Sequence, residues 1–208
     1  MSENNAIMQG GSVAESCVLQ ISDLHKSYGS HPVLEGVSFS IPRGKIVGLL
    51  GPNGCGKSTI MKMISGLLPA DNGSILIDGH LPGLVSKSIV SYLPERTYLN
   101  DWMKVSEVLQ FFSDFYADFD LERAQQMLAD LHLSPNTRLK TMSKGTKEKV
   151  QLILVMSRRA QLYLLDEPFT GVDGPRIQSL MAALKELGAP VLLSSHAVSY
   201  THLRAHET

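Results

Sequence analysis

The sequence predicts an α/β domain: a parallel or mixed sheet with helices on both faces, led by an antiparallel sheet and interrupted by a helical subdomain. Three observations carry this. The apolar run Ile46–Leu50 feeds a glycine-rich loop that opens onto residues of helical spacing. A second apolar run, Leu162–Leu165, ends in two adjacent acids, Asp166 and Glu167. Between them, residues 105–116 and 121–131 carry the helical period.

Each element follows in order. Residues 1–16 are polar and contain glycine, with no apolar period, and read as a flexible arm. Residues 17–24 and 33–41 alternate as strands, with turns at Tyr28-Gly29-Ser30 and Pro42-Arg43-Gly44. Ile46–Leu50 lacks alternation and reads as a strand buried on both faces, followed by a helix over 58–65. Residues 73–77 and 89–93 add strands. A second helix start at Ser143 leads into 150–156. Strand 162–165, helix 175–187 and strand 191–194 follow. The expected organisation is an arm over 1–16, one domain over 17–197 with its helical subdomain at about 97–157, and a tail over 198–208.

Composition narrows the function. The chain has 208 residues, with 19 Lys plus Arg against 20 Asp plus Glu and a net charge of -1, so no bulk field draws it to nucleic acid. Its apolar runs fall far short of the roughly 20 residues that span a bilayer, so a membrane role is expected to come through a partner. Cys17 and Cys55 are too far apart in sequence to suggest a disulfide framework, and a reducing cytosol is expected. The last eleven residues, VSYTHLRAHET, read as an in-frame translation resembling a sequencing-library adapter. The expectation is therefore a non-native tail after Ala197 on a C-terminally truncated domain, and His202 and His206 are not read as metal ligands.

The chemistry concentrates in two segments. Gly51, Pro52, Asn53, Gly54, Cys55, Gly56, Lys57 and Ser58, followed by Thr59, match G-x-x-x-x-G-K-[ST] between a strand and a helix. In this P-loop, glycines let consecutive backbone N–H groups converge on phosphate oxygens, Lys57 supplies charge to the β and γ phosphates, and Ser58 ligates Mg²⁺. In the second segment Asp166 closes a strand where it can hold Mg²⁺ through water, and Glu167 is placed to polarise an attacking water. Two acids with two tasks suit hydrolysis, and Asp166-Glu167 followed by His196, a set suited to activating water, disfavours a small-molecule kinase.

With these motifs, residues 17–197 resemble the nucleotide-binding subunit of an ABC transporter, a P-loop ATPase. The resemblance implies ATP and Mg²⁺ as cofactors, hydrolysis that powers a separately encoded membrane permease, and a homodimer or heterodimer with another such subunit. It also implies a cytoplasmic position on the inner face of the membrane. Met142-Ser143-Lys144-Gly145-Thr146 stands where the family has Leu-Ser-Gly-Gly-Gln. Ser143 and Gly145 match and are implied to bind the ATP of the opposing subunit. Lys144 and Thr146 depart, in a manner resembling exporters of drugs and peptides. His196 corresponds to the switch histidine, Asp173 to the loop coupling two ATP sites, and Tyr28 to the aromatic that stacks on adenine. Glu95 in Tyr92-Leu93-Pro94-Glu95 replaces the family's glutamine and is expected to keep its metal-sensing role.

Eight of the thirteen aromatics fall between Tyr92 and Phe119. Most are expected in the core of the helical subdomain, the rest in a patch that docks the permease. The competing function is a non-transport ABC ATPase acting on DNA or ribosomes. The coiled coils, basic tracts and tandem cassettes of such proteins are missing here.

Overall fold

A computed structural model describes residues 17–168 and 174–195. The arm, the tail, Asp173 and His196 lie outside them. Apolar residues at Leu19, Ile21, Ile41, Ile75 and Ile77 cover one face of a three-stranded antiparallel sheet. Its strands are β1 (Cys17–Tyr28), β2 (His31–Pro42) and β4 (Asn72–Ile77), in the order β2-β1-β4. Leu19 is paired to Ile41 on one side and Ile77 on the other. Gly73 (φ +86) lies against the β1 backbone so closely that a Cβ there would fall 2.1 Å from the Asp23 carbonyl oxygen.

The second sheet is parallel, ordered β3-β7-β6-β5, from β3 (Ile46–Leu50), β5 (Val90–Leu93), β6 (Leu162–Leu165) and β7 (Val191–Ser195). Every residue of β6 and β7 is buried, because both sheet faces are covered. Leu162, Leu164 and Leu192 face one cluster with Ile60, Met61 and Ile64 of α1 (Lys57–Ile64). Tyr163, Leu165 and Leu193 face another with Val155 and Met156 of α5 (Lys144–Met156) and Leu184 of α6 (Gly174–Glu186).

The sequence expectation fails for β3. It is half-buried to exposed, with Leu50 61% exposed. Among the described residues β3 is an edge strand, flanked by β7 alone, so an unbroken apolar run does not guarantee two covered faces. The short helix α2 (Leu84–Ile89) has no counterpart in the sequence expectation, and it defers the start of β5 from residue 89 to Val90.

A third cluster packs α3 (Val105–Phe115), α4 (Leu121–Asp130) and the first turns of α5 through Val108, Leu109, Leu128 and Val150. Glu107 accepts the Lys104 N–H at the head of α3, and Asp120 caps α4 by accepting the Arg123 N–H. The bond from Arg123, joined by Arg159, holds the Asp120 carboxyl below the usual range. Buried Arg158 ties this helical layer to the sheet: it pairs with Asp118, donates to the carbonyls of Ser88 and Val90, and lies 4.0 Å over the Tyr116 ring. The aromatic expectation holds only in part. Phe112 is buried, whereas Tyr98, Trp102, Phe111 and Phe115 are exposed, and Phe111 stacks on Phe115.

Candidate functional site

The loops after β3, β5 and β6, the end of β1, one residue of β2 and the start of α1 surround a cleft of about 570 Å³. Tyr28, Val33, Asn53, Gly54, Gly56, Lys57, Ser58, Thr59, Glu95 and Glu167 line it. Gly56, at the head of α1, is left-handed (φ +96), and a Cβ there would fall 2.6 Å from Leu34 Cδ2. Only glycine fits this backbone without moving β2. No side chain caps α1, so its first-turn N–H groups point at the cleft mouth with the positive end of the helix dipole.

Lys57 is 7% exposed. Its ammonium donates to the carbonyls of Gly51 at 2.7 Å and Pro52 at 3.1 Å, and lies 3.6 Å from Glu167 Oε1. Ser58 Oγ donates to Asp166 Oδ1 at 3.1 Å, which joins the loop to the end of β6 across 108 residues. Asp166 is buried, its N–H held by the Leu93 carbonyl. Glu167 takes a left-handed backbone (φ +52), a strained state that clusters at functional sites. Cys55 is exposed, and its Sγ would lie 2.7 Å from a Cβ added at Gly51. Tyr28 is half exposed at the cleft wall.

The fold thus brings together Tyr28, the loop, Glu95, Asp166 and Glu167. It does not bring Ser143 and Gly145 there. Ser143 caps α5, accepting the Thr146 N–H at 3.2 Å, and Gly145 is exposed with open space around it. Two residues of the cleft region carried no sequence signal for function. Ser194 of β7 reaches Asp166, and Tyr92 of β5 buries its hydroxyl without a hydrogen-bond partner among the described residues. Burial, with the charge of Asp166 adding to it, pushes the Tyr92 phenol well above its ordinary range.

The sequence pattern that defines the ABC transporter family matches residues 34–170. The chain belongs to the ABC transporter family. Its match to the SkfA peptide export ATP-binding protein SkfE of Bacillus subtilis is 36% identical over 192 residues, covering 88% of this chain and 80% of the relative. The linearmycin resistance ATP-binding protein LnrL of the same organism is 32% identical, with 86% of this chain and 61% of the relative covered. Among solved structures, an ATP binding subunit of an ABC transporter superposes with a TM-score of 0.80 at 32% identity, over 88% of this chain and 80% of the other. The chain is thus an ATP-binding, ATP-hydrolysing ABC subunit, the motor component of a transporter. Subunits of this kind act with membrane permease components. Among the described residues of this ABC subunit, no helix is long and apolar enough to cross a membrane.

Proposed function

We propose that this subunit hydrolyses ATP at the Lys57–Glu167 cleft to drive a membrane exporter, with a permease partner carrying the substrate. One observation carries the proposal: phosphate loop, buried acid and candidate base converge on one cleft, with Ser58 hydrogen-bonded to Asp166. The export direction is supported by the names of the relatives, a peptide export protein and a linearmycin resistance protein.

ATP would enter with its adenine against Tyr28 and its phosphates on the uncapped N–H groups of α1. Lys57 then exchanges the Gly51 and Pro52 carbonyls for phosphate oxygens and leaves Glu167, whose carboxylate accepts a proton from the attacking water. Ser58 and Asp166 present hard oxygen donors within 3.1 Å of each other, with Glu95 at the cleft wall, a set that fits Mg²⁺. When bound, that ion neutralises charge on the β and γ phosphates.

The Ser143 end of α5, with Gly145, would face the ATP of a second subunit, in a homodimer or a heterodimer. His196 and Asp173 are proposed on resemblance alone as the switch and coupling residues. The exposed Tyr98, Trp102, Phe111 and Phe115 are proposed to meet the permease, which would hold the subunit at the inner face of the membrane.

The test is nucleotide binding and turnover by the chain and its Glu167→Gln variant. The variant should bind ATP, lose hydrolysis by about 100-fold or more, and accumulate as a nucleotide-bound pair in size-exclusion chromatography. Hydrolysis unaffected by Glu167→Gln would remove Glu167 from the reaction.

A further inference from the structure

Asp166 Oδ1 accepts two hydroxyl donors, one from each side of the site. Ser58 Oγ approaches from α1 at 3.1 Å and Ser194 Oγ from β7 at 2.7 Å. Ser194 is fully buried, and the same hydroxyl accepts the Glu167 N–H at 2.9 Å. A hydroxyl carries one proton and two lone pairs, so Ser194 donates to one acid and accepts from the next without conflict. One atom on β7 thereby fixes the rotamer of Asp166 and the backbone of Glu167. That backbone is left-handed, a conformation that persists only where its surroundings over-determine it.

We propose that Ser194 is the positioning residue of the Asp166–Glu167 pair, setting the carboxylate that would hold the metal and the backbone from which the base projects. A buried serine serving only the core would satisfy its hydroxyl on a nearby carbonyl, as Ser91 does on Val155. Ser194 instead spends both of its capacities on the two acids, and it stands two residues before His196. A shift at the end of β7 therefore moves both acids together.

The inference rests on reading Asp166 and Glu167 as metal holder and base, and the test separates the two. Ser194→Ala and Ser194→Cys, a near-isosteric variant with a weak donor, are compared with the unaltered chain and with Glu167→Gln. The readouts are kcat, KM for ATP, and Mn²⁺ affinity by electron paramagnetic resonance with a non-hydrolysable ATP analogue. Both serine variants should lower kcat by about 10- to 100-fold with KM within about threefold, and weaken Mn²⁺ binding by about fivefold or more. Ser194→Thr, which keeps the hydroxyl, should recover most of the Mn²⁺ affinity. Wild-type Mn²⁺ affinity and kcat in both Ser194→Ala and Ser194→Cys, while Glu167→Gln stops turnover, would overturn the role of Ser194 alone. Turnover that survives Glu167→Gln would instead overturn the base reading. Ser194 is then judged on the Mn²⁺ titration, which needs no turnover.

Discussion

α1 begins on Gly56 with a left-handed backbone and no side-chain cap, whereas α5 begins on Ser143, whose hydroxyl already accepts the Thr146 N–H. At the first helix, a Cβ on Gly56 would strike Leu34, and buried Lys57 supplies charge behind the loop. At the second, Gly145 has open space and the serine satisfies one of the free donors. Both are helix N-termini with positive dipole ends, yet only the first of the two lines the enclosed cleft. In the proposed reading the second is half a site, stable alone and completed by the nucleotide of another subunit.

The sharpest way to break this comparison is through Cys55. A bulky maleimide adduct on this exposed thiol should abolish ATP binding, ATP should protect against it, and Cys55→Ala should be insensitive. Full binding by the alkylated chain would mean that phosphates do not sit in this loop. Next comes the glycine contrast. Gly56→Ala should destabilise the fold by about 1–3 kcal/mol and weaken nucleotide binding, because strain and a 2.6 Å clash meet at one residue. Gly145→Ala should leave both within about 0.5 kcal/mol of the parent in a single chain. Equal effects in thermal melts and titrations would erase the distinction between the two helix ends.

Ser143→Ala should cost about 1 kcal/mol of stability through the lost cap. Nucleotide affinity of one chain should be unchanged while turnover falls. Unchanged turnover would reduce Ser143 to a plain cap. The smallest effect lies outside both ends. Lys26 Nζ donates to Asp71 at 2.5 Å, and that bond, with the Ser27 N–H, holds the Asp71 carboxyl below its usual range. A lowered folded-state value stabilises above the unfolded value near pH 4, and that gain is lost as pH falls through the lowered value. The melting-temperature gap between the parent and Asp71→Asn should therefore shrink from pH 7 to pH 3. A constant gap would assign Asp71 a packing role only.

Much of the site could be read from the chain because its chemistry is local. The loop over 51–58 and the acids after β6 are contiguous segments whose spacing carries the geometry. The contacts of Ser194 and of the Tyr92 hydroxyl are not legible in the sequence, because a serine or tyrosine in an apolar strand has no distinguishing pattern. Their significance arises only when β5 and β7 flank β6. The exposure of β3 is not legible in the sequence either, since hydropathy reports apolar character but not whether a strand is central or at an edge.

By itself, the sequence determined the order of strands and helices apart from α2, the phosphate loop, the pair of acids and the family to which the chain belongs. Periodicity and motif spacing are short-range properties, and a linear string records them fully. The tertiary structure alone decided that Lys57 rests against Glu167, that Ser58 and Ser194 share one oxygen of Asp166, and that half of the aromatics between Tyr92 and Phe119 are exposed. These are contacts between distant segments, set by sheet order and by how each helix covers a face.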